Sequence, residues 1–180
     1  MDKEFKLLIE GIDASENNIY FSGPIESDFL SLIRPRFLYL IKVNSIKKEI
    51  NLYLDSTGGD LMGILSAKSF FKTLEQKYQT KVNIIVEGRC YSAALLLLLV
   101  ATGRRKATSG TLFMFHEVIS KLGDEPREIM EKEIEKILNN FRVFEKKVSI
   151  FNKNKVFASD NFFFDAKDAK QFKIIDEILD

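Results

Sequence analysis

The chain has 180 residues, enough for one domain with a core of ordinary size. Hydrophobic residues make up 46% of the sequence and charged residues 29%, as in soluble globular proteins. The 27 basic and 26 acidic residues leave a formal net charge of +1, which excludes recruitment of nucleic acid or of a membrane surface by an overall field.

Cysteine usage and the N-terminus predict a cytoplasmic protein. The single cysteine, Cys90, excludes an internal disulfide framework and favours a reducing compartment. The first residues, MDKEFKLLIEG, are charged and lack the long apolar core of a signal peptide. The most apolar run, residues 93–101, is shorter than the roughly 20 residues that cross a bilayer.

Along the first two thirds of the chain, the apolar pattern predicts alternating strands and helices. We expect strands at 19–22, 50–54, 82–86 and 111–116, and helices at 27–41, 61–78 and 93–101. The last of these strands is apolar on both faces, as in a covered parallel sheet. The alternation indicates an α/β domain with right-handed crossovers, and we expect residues 1–180 to form a single domain.

The last third of the chain begins with a long predicted helix, at about 124–151. Its apolar residues recur in steps of four and three, which is the spacing of a coiled-coil seam. A helix of this kind needs a partner surface, either on its own domain or on another subunit. A short final helix is expected from Ala166, with Asp165 as its cap.

Two adjacent glycines, Gly58 and Gly59, lie between a predicted strand and a predicted helix. Glycines at such a turn let the backbone approach a neighbour and present free amides to an anion or a carbonyl oxygen. The turn also has a purely structural interpretation. It lacks the further glycine of a dinucleotide fingerprint and the Lys-Ser/Thr of a P-loop, so we expect no nucleotide, and no other cofactor or metal is predicted.

Ser92 opens the predicted helix at 93–101 and is interpreted either as a helix cap or as a nucleophile. Helix-start amides would support charge on an oxygen reacting there. Ala94 rules out the G-x-S-x-G elbow, and Cys90 is the competing nucleophile. His116, the only histidine, ends a strand and is either a core residue or a general base.

A general base needs an acceptor that orients it, and the stretch SDNFFFD at 159–165 contains two candidates. Asp160 can hold an imidazolium by charge, whereas Asn161 can do so only by a hydrogen bond. Asp165 is better explained as the cap of the final helix.

Five segments in this order resemble motifs of the Clp protease proteolytic subunit (ClpP) family. They are IYFSG at 19–23, LYLDSTGG at 52–59, GRCYSAA at 88–94, FMFH at 113–116 and AKDAKQFKIID at 166–176. The resemblance runs from about Ile19 to Asp180. It implies an α/β, ClpP/crotonase-like fold of repeated β-β-α units, with a projecting handle helix at about 124–151.

The resemblance also implies a catalytic machinery, that of a serine endopeptidase. Ser92 would be the nucleophile and His116 the general base. Counting back without a gap gives Asn161 as the third member, and one inserted residue restores Asp160. The amides of Gly58 and Ala93 would form the oxyanion hole, and the edge at Gly59 would pair with the extended substrate.

The family assembles as stacked heptameric rings that degrade polypeptides and are fed by an ATP-dependent AAA+ unfoldase. The resemblance therefore implies a homo-oligomer, with the handle helix at the ring-to-ring interface and an unfoldase as a candidate partner. Thr57 replaces the usual proline, and Ala94 and Lys173 replace glycines. One alternative is thus a catalytically weak or inactive ClpP-like ring subunit. Another is an acyl-CoA enzyme of the related crotonase-like fold, in which paired amides polarise a thioester.

Overall fold

The computed structural model describes residues 11–44, 48–116, 132–133, 135–137 and 161–180. Within them lies a mixed eight-stranded sheet with strands β1 Ile12–Asp13, β2 Asn18–Ser22, β3 Glu49–Ser56, β4 Lys81–Tyr91, β5 Arg105–Thr108, β6 Leu112–Phe115, β7 Phe162–Asp165 and β8 Glu177–Leu179. The helices are α1 Phe29–Val43, α2 Leu61–Tyr78, α3 Ala93–Leu99 and α4 Ala166–Gln171. Residues 132, 133 and 135–137 are also helical.

The sheet branches at β4. Its main path follows the order β1-β2-β3-β4-β5-β8, in which only the β1–β2 pair is antiparallel. Residues 84–86 of β4 pair with β5, whereas residues 89–91 pair in parallel with β6. Strand β6 in turn pairs antiparallel with β7. Both halves of this long strand pair with β3, but on the other side they have different neighbours.

The branch coincides with a bulge at Gly88. This glycine has a φ of +101°, a conformation that L side chains rarely adopt. The register between β3 and β4 shifts there, between Leu54 and Ser56 on the β3 side. A bulge bends its strand and increases the local twist, so the second half of β4 can turn away from β5 and accept β6.

Helices cover one face of the sheet. Along β3, buried residues such as Leu52 alternate with half-exposed ones, which is the period of a strand with one covered face. Helices α1 and α2 pack through Phe37, whose ring centroid lies 5.8 Å from that of Phe70 and 5.6 Å from that of Phe71. Residues 93–98 of α3 are all buried, so this helix lies inside the domain.

The expected α/β class is confirmed, and α2 has the predicted bounds of 61–78. The predicted strand at 82–86 is only the first half of β4. The sequence did not indicate β1, β5, β7 or β8, which are two to four residues long, and β5 has the polar sequence RKAT. Most of the predicted handle helix at 124–151 lies outside the described residues. Every helix in the described ranges is too short or too polar to span a bilayer.

Candidate active site

Ser92 lies in a strained turn between β4 and α3. Its φ of 54° and ψ of −121° are uncommon for a residue with a side chain, and such conformations cost about 1–3 kcal/mol. The Ser92 N–H donates to the carbonyl of Met114 at 2.9 Å, and its C=O accepts from the amide of Leu95 at 3.0 Å. The turn is therefore held by β6 on one side and by α3 on the other.

The side chain of Ser92 bonds to His116 and does not cap the helix. The hydroxyl makes no capping hydrogen bond, and its Oγ lies 2.7 Å from His116 Nε2. Because β4 and β6 are parallel and Tyr91 lies opposite Met114, the residues that follow both strands meet at the same edge of the sheet. The two residues that the sequence singled out are thus within hydrogen-bond distance.

Continuing the register of β6 and β7 brings Asn161 beside His116. Phe115 lies opposite Phe162 in this antiparallel pair, so one step further places His116 opposite Asn161. Side chains directly opposite one another in such a pair have Cβ atoms about 4.5–5.5 Å apart. Asn161 is half-buried, and Asp160 lies outside the described residues.

Gly58 lies directly against the Ser92 turn. Its φ is +89°, and a Cβ atom there would come within 2.5 Å of the Tyr91 carbonyl oxygen and 2.8 Å of the Ala93 nitrogen. Only glycine fits this approach. The Gly58 N–H, which we expected to face the reacting oxygen, donates to the buried hydroxyl of Ser56 at 3.1 Å.

The backbone at Gly59 is paired with Ile25 on one side only, and the N–H and C=O of Gly59 itself point to the other side. It forms an isolated parallel bridge with Ile25, in which the Ile25 N–H donates to the Gly58 carbonyl at 2.9 Å. The Asp60 N–H then donates to the Ile25 carbonyl at 2.6 Å. In a parallel bridge of this kind, the N–H and C=O of the bridged residue itself point to the opposite side. Gly59 also lines the pocket at Ser92.

A pocket of about 140 Å³ contains the serine–histidine pair. Besides Ser92 and His116 it is lined by Gly59, Leu61, Ala93, Leu96 and Phe115. The sequence patterns had assigned the three large apolar residues to helix and strand cores. The signal that could have placed them at the site is their position in the sequence: Leu61 lies two residues after Gly59, Leu96 one helical turn after Ser92, and Phe115 directly before His116. Two larger hollows, of about 630 and 600 Å³, lie elsewhere on the surface.

Cys90 does not compete with Ser92 as a nucleophile. Its side chain is fully buried, and this burial raises the pKa of the thiol. A thiol that is both inaccessible and protonated is unreactive, since the thiolate is the nucleophile. Among the described residues, no three His, Cys, Asp or Glu side chains are grouped in a way that could hold a metal ion.

Comparison with known proteins identifies the family of this chain. The family model described as Clp protease matches residues 8–180. A solved structure, the ClpP protease catalytic domain from Plasmodium falciparum, matches with a TM-score of 0.72 and 23% sequence identity, over 100% of this chain and 92% of that one. At this identity the structural likeness shows the fold alone, and the family match carries the assignment. The chain belongs to the Clp protease family, a family of serine proteases that act in proteolysis.

Proposed function

We propose that this protein is a serine endopeptidase in which Ser92 is the nucleophile and His116 the general base. The 2.7 Å contact between Ser92 Oγ and His116 Nε2, inside an apolar pocket, carries this proposal. With the imidazole hydrogen on Nδ1, Nε2 accepts the hydroxyl proton while Oγ bonds to the carbonyl carbon of the substrate.

The same imidazole then serves as the acid. When the tetrahedral intermediate collapses, the C–N bond breaks and His116 transfers its proton to the leaving amine. The acyl ester on Ser92 is hydrolysed by a water molecule that His116 deprotonates. This releases the second product and restores the hydroxyl.

The oxyanion of the intermediate needs donors that already point at it. The Ala93 N–H, at the start of α3, is one of the two expected donors. The other, the Gly58 N–H, takes this role only if it leaves the Ser56 hydroxyl. The N–H and C=O of Gly59 point away from Ile25, which supports the expected pairing of this edge with an extended substrate. The Gly59 N–H is also an alternative to the Gly58 N–H as a donor to the oxyanion.

The pocket walls support a preference for an apolar substrate side chain. Leu61, Leu96 and Phe115 surround the serine–histidine pair, and a side chain that fills the pocket excludes water from them. We expect cleavage after apolar residues of moderate size.

For the third member, the strand register supports Asn161 over Asp160. An asparagine carbonyl can accept the Nδ1–H bond of His116, but it has no charge to stabilise the imidazolium. We therefore expect a slow enzyme. The same observation supports the second candidate function, a ring subunit that assembles without hydrolysing peptides.

We further propose that residues 1–180 act as one peptidase domain in stacked heptameric rings. This rests on membership of the family, and the helix expected at 124–151 would form the ring-to-ring contact. An ATP-dependent AAA+ unfoldase is the candidate partner, and the cytoplasm is the proposed location.

A fluorophosphonate probe tests the nucleophile directly. We expect the purified oligomer to be labelled at Ser92 near neutral pH, and we expect Ser92→Ala to remove both labelling and peptide cleavage. Intact assembly without labelling would support the inactive ring subunit. In that case Asn161→Asp, which restores a charge beside His116, should produce measurable cleavage.

A further inference from the structure

We propose that Asp55 and Arg89 are positioning residues that fix Ser92 against the Gly58-Gly59 edge. This inference rests on the proposed function. It concerns an ion pair outside the pocket, at the point where the second half of β4 leaves the plane of the sheet.

Three hydrogen bonds join the two residues. The backbone N–H of Arg89 and its Nε both donate to Asp55 Oδ1 at 2.9 Å, and Nη2 donates to Oδ2 at 2.9 Å. The Ser22 hydroxyl lies 3.3 Å from the same Oδ2. A guanidinium that binds both carboxylate oxygens gives a stronger and more directional contact than a single hydrogen bond.

The ion pair spans the gap in the backbone ladder. Leu54 lies opposite Val86, and the next matched pair is Ser56 opposite Cys90, so Asp55 alone faces residues 87–89. The Asp55 carboxylate accepts the Arg89 N–H, which a regular ladder would direct to a carbonyl of β3. The side chain thus replaces the backbone contact that the bulge removes.

The carboxylate also sits over the bulge itself. A Cβ atom on Gly88 would lie 3.1 Å from Asp55 Oδ1, so the side chain of Asp55 packs on the glycine backbone. Bending of the second half of β4 therefore changes the Asp55–Arg89 contacts directly.

Both partners are the same distance along the chain from the site. Asp55 precedes Gly58 by three residues, and Arg89 precedes Ser92 by three residues. The ion pair therefore ties the end of β3, which carries the glycine edge, to the end of β4, which carries the nucleophile. The Ser92–His116 contact depends instead on β6, so loss of the pair would move Ser92 relative to Gly58 and Gly59 more than relative to His116.

A second ion pair of the same pattern provides a matched control. The Arg105 N–H donates to Asp176 Oδ2 at 2.9 Å, and its Nη2 donates to Oδ1 at 2.8 Å. This pair joins β5 to the chain just before β8, away from the pocket. Its guanidinium also binds both carboxylate oxygens, but the pair contacts the first half of β4, and neither partner lines the pocket.

The test compares Asp55→Asn with Asp176→Asn in the full-length oligomer. We expect both variants to lower the midpoint of thermal unfolding by similar amounts. Asp55→Asn should also lower kcat for a fluorogenic peptide by about tenfold or more, with KM within about twofold, because misplacement of a reacting group acts on the transition state. Asp176→Asn should keep the wild-type kcat per labelled Ser92.

Arg89→Lys is the second variant, for the case in which Asp55→Asn does not fold. It keeps the charge and the backbone N–H but loses the two-oxygen contact, so we expect an intermediate kcat. An active wild type with equal kcat in the Asp55→Asn and Asp176→Asn variants, or wild-type kcat in Arg89→Lys, would overturn the proposal. A wild type that is neither labelled nor active overturns the proposed function, and this inference falls with it.

Discussion

The two halves of β4 differ in burial and in the strands with which they pair. Residues 82–86 are all buried, and they pair with β3 on one side and, in part, with β5 on the other. Residues 87–89 are exposed, and the strand ends in the half-exposed Tyr91 beside Ser92. The first half belongs to the core, and the second half leads to Ser92, the proposed nucleophile.

The halves also differ in what holds them. Apolar burial stabilises the first half, and this contribution scales with area and tolerates small displacements. The second half depends on a bulge, an ion pair and the close approach of Gly58, all of which depend on exact geometry. Substitutions in the first half should therefore change stability, whereas those in the second half should change activity.

The largest expected effect is that of Gly58→Ala. The new Cβ would collide with the Tyr91 carbonyl and the Ala93 nitrogen, so the Ser92 turn must shift. We expect kcat/KM for a peptide substrate to fall by about 100-fold or more, since a displacement of about 1 Å at a reacting group has this effect. Gly110→Ala is the control, because nothing lies within 4 Å of a Cβ atom there. Wild-type kcat/KM in Gly58→Ala would contradict the proposed role of this contact.

In the first half of β4, Ile84→Ala should act on stability alone. Ile84 is fully buried, and truncation of such a side chain costs about 2–5 kcal/mol of unfolding free energy. Denaturant titration measures this loss, and active-site labelling corrects kcat for the folded fraction. A large drop in kcat per labelled site would mean that the two halves are not separable.

Acid should weaken the Asp55–Arg89 contact in the second half of β4, because it protonates the Asp55 carboxylate. Hydrogen bonds from Arg89 hold the pKa of this carboxyl below its usual range. The unfolded chain therefore binds more protons in acid, so the stabilisation is present above pH about 4 and is lost as the pH falls through the lowered pKa. We expect the difference in unfolding midpoint between wild type and Asp55→Asn to shrink from pH 7 towards pH 3. A difference that stays constant or grows would show that the ion pair does not stabilise the fold.

The smallest expected effect is at the entrance to β4. Gln79 and Ser92 lie before and after this strand with φ values of 53° and 54°. Gln79 is exposed and ends α2 in the left-handed conformation that glycine adopts without strain. Gln79→Gly should raise the unfolding free energy by up to about 1 kcal/mol without changing kcat. A loss of stability would show that the glutamine side chain has a structural role.

Several helices and their ends could be predicted from the sequence, because they follow from the spacing of apolar residues and from capping residues nearby in the chain. The periodicity of 61–78 predicted the bounds of α2, and Asp165 caps α4 as expected, with its Oδ1 accepting from Asp168 N at 2.9 Å. The serine–histidine pair could be predicted for another reason: the ClpP-like segments at 88–94 and 113–116 contain Ser92 and the only histidine of the chain. Residues that follow neighbouring parallel strands lie at the same edge of the sheet, which brings these two side chains close together.

The parts of the fold and of the site that the sequence did not predict depend on contacts between distant segments of the chain. Strand β5 has no apolar alternation, and its pairing with β4 and β8 decides its structure. The branch of β4 and the position of Asn161 opposite His116, which continues the β6–β7 pairing by one step, both follow from register, which a single sequence does not encode in any local pattern.

The burial of Cys90 has a practical consequence. It is the only cysteine in the sequence, and its side chain has no exposure to solvent. A maleimide dye should therefore react only with a cysteine introduced at an exposed position, such as Gln79→Cys, while the native thiol stays in place. Fluorescence from that one position, combined with a fluorophosphonate on Ser92, would report distances between subunits in the proposed oligomer.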